Sequence, residues 1–147
     1  MIKVFFDASV IIAAIMSSKG ASFELLKYAS RKKIIAITSK TVINEVLANL
    51  HKIEDFNEKD LDSFIVNNKI IVRKAVGRSE IKQFADVVYQ KDAHVLAGAR
   101  LTDSDYLVSL DRKHIVKNEI RNKVKDIQVV LPKELLYKLR KILKQYN

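Results

Sequence analysis

The chain has 147 residues, 48% of them hydrophobic, which is the length and apolar content of one ordinary domain with a buried core. It contains no cysteine, so disulfide staples, thiolate nucleophiles and cysteine-bound zinc or iron–sulfur sites are excluded. The net charge of +10 is concentrated late: residues 112–147 hold 11 Lys/Arg against 3 Asp/Glu, and residues 1–111 hold 16 against 14, an asymmetry suited to a polyanionic partner.

In chain order, the apolar run over residues 2–6 reads as a strand that ends at Asp7-Ala8-Ser9-Val10. A polar residue at such a place commonly caps the next helix. Here Ser9 adds a hydroxyl two residues after the carboxylate, so the same turn suits a divalent cation. Arg31-Lys32-Lys33 leads into a second strand over 34–37 and reads as a solvated end. Thr38 or Ser39 suits the N-cap of a helix carrying Val42, Ile43, Val46, Leu47 and Leu50, with Glu45 on the flank of that apolar stripe. Residues 54–61 are acidic and polar and read as an exposed turn between two helices. A third strand over 70–72 is followed by Arg73-Lys74, again read as a solvated end.

Residues 92–99 have helical character. Asp92 lies three, four and seven positions before Val95, Leu96 and Ala99, which places it on the apolar face. An ionised carboxylate there is costly unless it is paired, caps its helix or binds a metal, and Lys91 and Arg100 are the nearby cations. Asp103 reads as a turn residue, and Asp105 as a strand start or a peripheral metal contact. The strand over 106–108 leads to Ser109-Leu110-Asp111, where Asp111 is either a ligand or the cap of a short helix to Lys117. A fifth strand covers 127–130. Pro132 suits the first turn of a last helix with Leu135, Leu136, Leu139, Ile142 and Leu143 on its apolar face.

Strands alternating with helices imply crossover connections and a mainly parallel sheet. Ligands of such sheets bind outside the carboxyl ends of the strands, and Asp7 and Asp111 both leave strands at those ends. His51, His94 and His114 show no metal-binding spacing, and there is no glycine-rich phosphate loop or nucleophilic-serine context. The Asp7 turn also lacks the second aspartate of a phosphoaspartate hydrolase. No leader pattern or membrane-length apolar run is visible, so a soluble, cytoplasmic protein is expected.

Taken as an ordered set, Asp7-Ala8-Ser9-Val10-Ile11, the helix with Asn44-Glu45-Val46, the helix Lys91-Asp92-Ala93-His94-Val95-Leu96-Ala97 and the strand Asp105-Tyr106-Leu107-Val108-Ser109-Leu110-Asp111 resemble a PIN domain. The likeness is greatest to the toxin components of prokaryotic toxin–antitoxin systems, which share a turn like Ser17-Ser18-Lys19-Gly20 after the first helix. The resemblance implies one three-layer α/β/α domain over residues 1–147 and a metal-dependent endoribonuclease. Its acids would be Asp7, Glu45, Asp92 and Asp111 on one or two Mg²⁺ or Mn²⁺ ions, supported by Ser9 and Ser109. Asp7 and Asp92 would be the central ligands. Leu110 departs from the glycine usual before the last acid and would constrain that loop.

RNA is the implied substrate, with an antitoxin protein and a second copy of the chain as further partners. The exposed basic residues Lys138, Arg140, Lys141 and Lys144 of the last helix are the expected RNA-backbone contacts. The rival readings are an RNA-processing nuclease of the same fold and a catalytically silent RNA-binding or interaction module.

Overall fold

The computed structural model describes residues 1–144, Gln90 by its backbone alone. Five strands form one parallel sheet in the order β3-β2-β1-β4-β5. They are β1 (Lys3–Phe6), β2 (Ile35–Ser39), β3 (Ile71–Arg73), β4 (Tyr106–Val108) and β5 (Gln128–Val130). The central strand is apolar after Lys3, and Val4, Phe5 and Phe6 are fully buried because helices cover both faces. Its neighbours align so that Phe5 pairs with Ile37 on one side and Leu107 on the other. The edge strand β3 has only three residues and leaves Ile71 and Val72 exposed.

Eight helices are described: α1 (Ala8–Met16), α2 (Ala21–Ser30), α3 (Lys40–Ala48), α4 (Glu58–Asn67), α5 (Arg78–Lys82), α6 (Ala93–Leu101), α7 (Asn118–Lys123) and α8 (Pro132–Lys144). Right-handed crossovers from β1 to β2 to β3 put their helices on one face, and the reversed direction from β3 to β4 puts α5 and α6 on the other. The packing agrees: α2 touches α1 and α8, α1 touches α3, and α5 packs on α6. The result is a three-layer α/β/α sandwich around one continuous apolar cluster. No single described helix is long and apolar enough to cross a membrane.

Helix α6 is the layer's tightest element, with every residue from Ala93 to Ala99 buried. Gly98 makes this possible, because a Cβ there would sit 2.5 Å from Phe5 Cζ. The helix therefore rests directly on the ring of the central strand, and its two ends lie at opposite edges of the sheet.

Several local expectations change. Leu50 falls outside α3, in a 3₁₀ turn over Leu50–Lys52. Within 54–61, the chain is helical from Glu58, since Asn57 and Asp60 form a reciprocal capping box and the acids of this first turn meet the positive end of the helix dipole. Arg73 is not a solvated end: its side chain is 15% exposed and lies 3.9 Å from Glu80 Oε2. After Asp111 the chain makes turns rather than a helix to Lys117, and α7 begins only at Asn118.

Candidate metal centre

In the strand order β3-β2-β1-β4-β5, connections leave β1 toward one side and β4 toward the other. The crevice at their carboxyl ends is the topological switch point of the sheet. Asp7 follows β1 and Asp111 follows β4 there. Ser39, the last residue of β2, caps α3 by accepting from the Val42 amide at 3.2 Å, which starts the helix carrying Glu45 at this same edge. Asp92 is the residue just before α6 rather than part of the helix, and its side chain makes no cap hydrogen bond. Because α6 runs back toward the amino ends of the strands, its first residues sit at the carboxyl edge.

Asp7 is the most enclosed of the four, 6% exposed. Its Oδ1 accepts from the Ala8 amide at 2.8 Å, and its Oδ2 accepts from Ser109 Oγ at 2.7 Å and Ser9 Oγ at 3.2 Å. The serines also clamp the loop after β4. Ser9 Oγ accepts from the Leu110 amide and Ser109 Oγ from the Asp111 amide, each at 3.1 Å. Leu110 fits without a left-handed backbone and turns its side chain outward, 44% exposed, so this loop has no need of the glycine.

Asp111 Oδ1 accepts from the amides of Lys113 at 3.1 Å and His114 at 2.9 Å. That turn brings His114 Nδ1 to 3.2 Å from Asp111 Oδ2 and 4.0 Å from Asp92 Oδ2. One ligand atom from each of Asp92, Asp111 and His114 lies within 4.8 Å of the others. Glu45 is outside that group and hydrogen-bonds His94 Nε2 instead. A carboxylate only accepts, so this imidazole nitrogen carries the hydrogen and aims the Glu45 head group.

The electrostatics record the crowding. Burial pushes the Asp7 carboxyl above the ordinary carboxylate range; the Ser109 hydrogen bond opposes this and the Glu45 charge adds to it. Asp92 is also pushed up, first by burial and then by the charge of Asp111, against the favourable pull of His114. No Lys or Arg side chain forms an ion pair with Asp7, Glu45, Asp92 or Asp111 among the described residues. Unneutralised carboxylates meeting at one cleft are the donor set that hard divalent cations take.

A PIN domain model matches residues 3–113. The chain belongs to the PIN domain family. Its fold is similar to VapBC2 from Rickettsia felis, bound to a DNA fragment from its promoter, with a TM-score of 0.62, 14% identity and coverage of 88% of this chain and 98% of that one. It is similar too to PAE2754 from Pyrobaculum aerophilum, with a TM-score of 0.59, 18% identity and coverage of 95% and 96%. FitAB bound to the IR36 DNA fragment gives 0.52, 12%, 88% and 94%. At these identities the likeness is one of fold. Comparison with curated proteins gives no match.

Two side chains of this PIN domain were not singled out by sequence reasoning. His94 and His114 lack the spacing of a histidine metal pair, but each stands within three residues of a selected acid, two after Asp92 and three after Asp111. That proximity was the available signal. Asp105, by contrast, is no metal contact: its Oδ2 accepts from the Lys3 amide at 2.8 Å, at the amino edge of the sheet.

The basic residues of α8 lie away from the acids. Lys138 Nζ donates to Gln128 Oε1 at 3.0 Å and sits over the Tyr106 ring, and both partners are first residues of their strands. Ile142 lines a cleft with Met1, Ile2 and Asp105 at that same edge. A 13-residue helix rises about 20 Å, so α8 starts beside the end of β5 and carries Arg140, Lys141 and Lys144 to the opposite edge.

Proposed function

We propose that this PIN domain, acting as one domain over residues 1–147, is a Mg²⁺- or Mn²⁺-dependent endoribonuclease and the toxin of a type II toxin–antitoxin pair. The observation that carries the reading is the meeting of Asp7, Glu45, Asp92 and Asp111 at the switch point, without a neutralising Lys or Arg, on a scaffold shared with VapBC2 and FitAB. Asp92 and Asp111 would hold the cation directly. Asp7, fixed by two hydroxyls and an amide, keeps a lone pair free to join them. Glu45, aimed by His94, would complete the set directly or through water.

A divalent cation in this cleft would neutralise charge developing on a phosphoryl oxygen and ease the generation of a nucleophile from water. The chain's own residues position that chemistry: Ser9 and Ser109 lock the two loops together, and no protein nucleophile is required. The likeness to toxin components of toxin–antitoxin systems, on a fold shared with VapBC2 and FitAB, supports an antitoxin protein as the partner of this chain. The test is cleavage of a mixed RNA pool by purified protein with Mn²⁺, Mg²⁺ or EDTA. Cutting that needs metal and disappears in Asp7→Asn and Asp92→Asn is expected. Cutting that survives both variants would overturn the assignment, as would a folded wild-type chain that binds no divalent cation.

A further inference from the structure

We infer that His114 is itself a ligand of the cation at this site, giving the centre one nitrogen donor and a preference for Mn²⁺ over Mg²⁺. The inference rests on the metal-dependent reading above and adds to it a residue just beyond the segment matched to the family. Three features of the ring point to ligation. Its Nδ1, not its Nε2, faces the carboxylates, at 3.2 Å from Asp111 Oδ2 and 4.0 Å from Asp92 Oδ2. Its backbone amide donates to Asp111 Oδ1, which anchors the residue beside that carboxylate. Tyr89 packs edge-on against it, centroid to centroid 4.6 Å at 85°, which fixes the ring plane from outside.

Donor atoms sharing one small divalent ion lie at most about 4.5 Å apart, given bonds of about 2.0–2.3 Å. The Asp92, Asp111 and His114 atoms lie within 4.8 Å of one another, so modest side-chain rotation closes the set. The cation would take the place of the hydrogen now shared between Nδ1 and Asp111. The triad borders a cleft of about 430 Å³ lined by Tyr89, Lys91, Asp92 and His114, which gives a cation and a phosphate an open approach. Mg²⁺ favours an all-oxygen shell, whereas an imidazole donor suits first-row transition metals, among which Mn²⁺ binds nitrogen least strongly but still more readily than Mg²⁺.

The experiment is pulsed electron paramagnetic resonance of Mn²⁺ bound to the full chain, with calorimetric titration of Mn²⁺ and Mg²⁺. Nitrogen hyperfine coupling is expected in the wild type, lost in His114→Ala and kept in His94→Gln. His114→Ala should weaken Mn²⁺ binding by about 10–100-fold, the scale on which metal-site partners act, and weaken Mg²⁺ binding less. Tight Mn²⁺ binding without nitrogen coupling overturns the role of His114 and leaves an all-oxygen metal site standing, whereas coupling lost only with His94 overturns it by assigning the nitrogen donor to His94. No Mn²⁺ binding by the wild type would overturn both the inference and the metal-dependent reading beneath it.

Discussion

The two edges of the sheet use the same residue type in opposite ways. At the amino edge Asp105 and Asp126 have partners: Asp105 accepts from the Lys3 amide, and Asp126 takes a two-pronged hydrogen bond from Arg100 at 2.8 Å and 2.8 Å. The Arg100 guanidinium holds the Asp126 carboxyl below its usual range. At the carboxyl edge Asp7 and Asp92 are driven the other way by burial, with the charges of neighbouring acids adding to it. Pairing makes an aspartate a structural brace; crowding without a cation leaves it in need of one. Helix α6 spans both regimes, with Asp92 just before its first residue and Arg100 near its last.

The largest expected effect is on the crowded edge. Asp92→Asn should lower metal-dependent RNA cleavage by about 10²–10³-fold or more, as expected when the stabilisation of developing charge is lost, while Asp105→Asn leaves it unchanged. Single-turnover cleavage at saturating Mn²⁺ measures both. Equal losses in the two variants would erase the distinction between the edges.

Next is the packing that joins the edges. Gly98→Ala drives a methyl group into Phe5 and should destabilise the chain by about 1–3 kcal/mol, read by urea denaturation. Lifting α6 also displaces Asp92, so metal affinity should fall with stability. A stable variant with normal metal binding would show that α6 need not rest on β1.

The pH dependence of the two edges should differ in sign. Asp7 and Asp92 hold protons more tightly when folded, so in the metal-free protein their contribution is most favourable in acid and is lost as pH rises from about 4 through their raised values. Asp126 is held low, so its contribution is present above about 4 and is lost as pH falls through its depressed value. At pH 7 and without metal, Asp92→Asn should therefore raise the melting temperature. Asp126→Asn should lower stability by less than about 1 kcal/mol, since that pair is exposed. Thermal unfolding with EDTA across pH 4–8 reads both, and an Asp92→Asn variant that melts lower than wild type would contradict the crowding.

The smallest effect belongs to α8. Replacing Lys138, Arg140, Lys141 and Lys144 by Glu should leave cleavage of a short RNA nearly unchanged, because these residues lie at the far edge. Binding of a long RNA should show a salt slope reduced by about one for each phosphate that is no longer neutralised. A large fall in short-RNA cleavage would mean that the substrate reaches both edges.

Much of this was legible in the residues. All five strands were marked by short β-rich runs, and Thr38 or Ser39, of which the structure uses Ser39, and Pro132 announced their helices through cap chemistry that acts within one turn. Asp7 and Asp111 could be picked out because polar residues stand where buried strands end, Asp92 because a carboxylate beside an apolar helix is costly, and Glu45 through the resemblance to the family. The partner of His94 was not legible, since Glu45 lies 49 residues away and only the arrival of α3 and α6 at the same carboxyl edge joins them. Asp92 was assigned to a helix face by its spacing, yet the helix starts one residue later. The basic C-terminal quarter was visible as composition, but its distance from the acids depends on the direction in which α8 leaves β5. Local propensity, periodicity and caps act over a few residues, and the sequence by itself determined the elements and the acids at their ends. Strand order and helix packing act between segments remote in the chain. They alone decided which acids are braced, which are crowded, and which histidines stand among them.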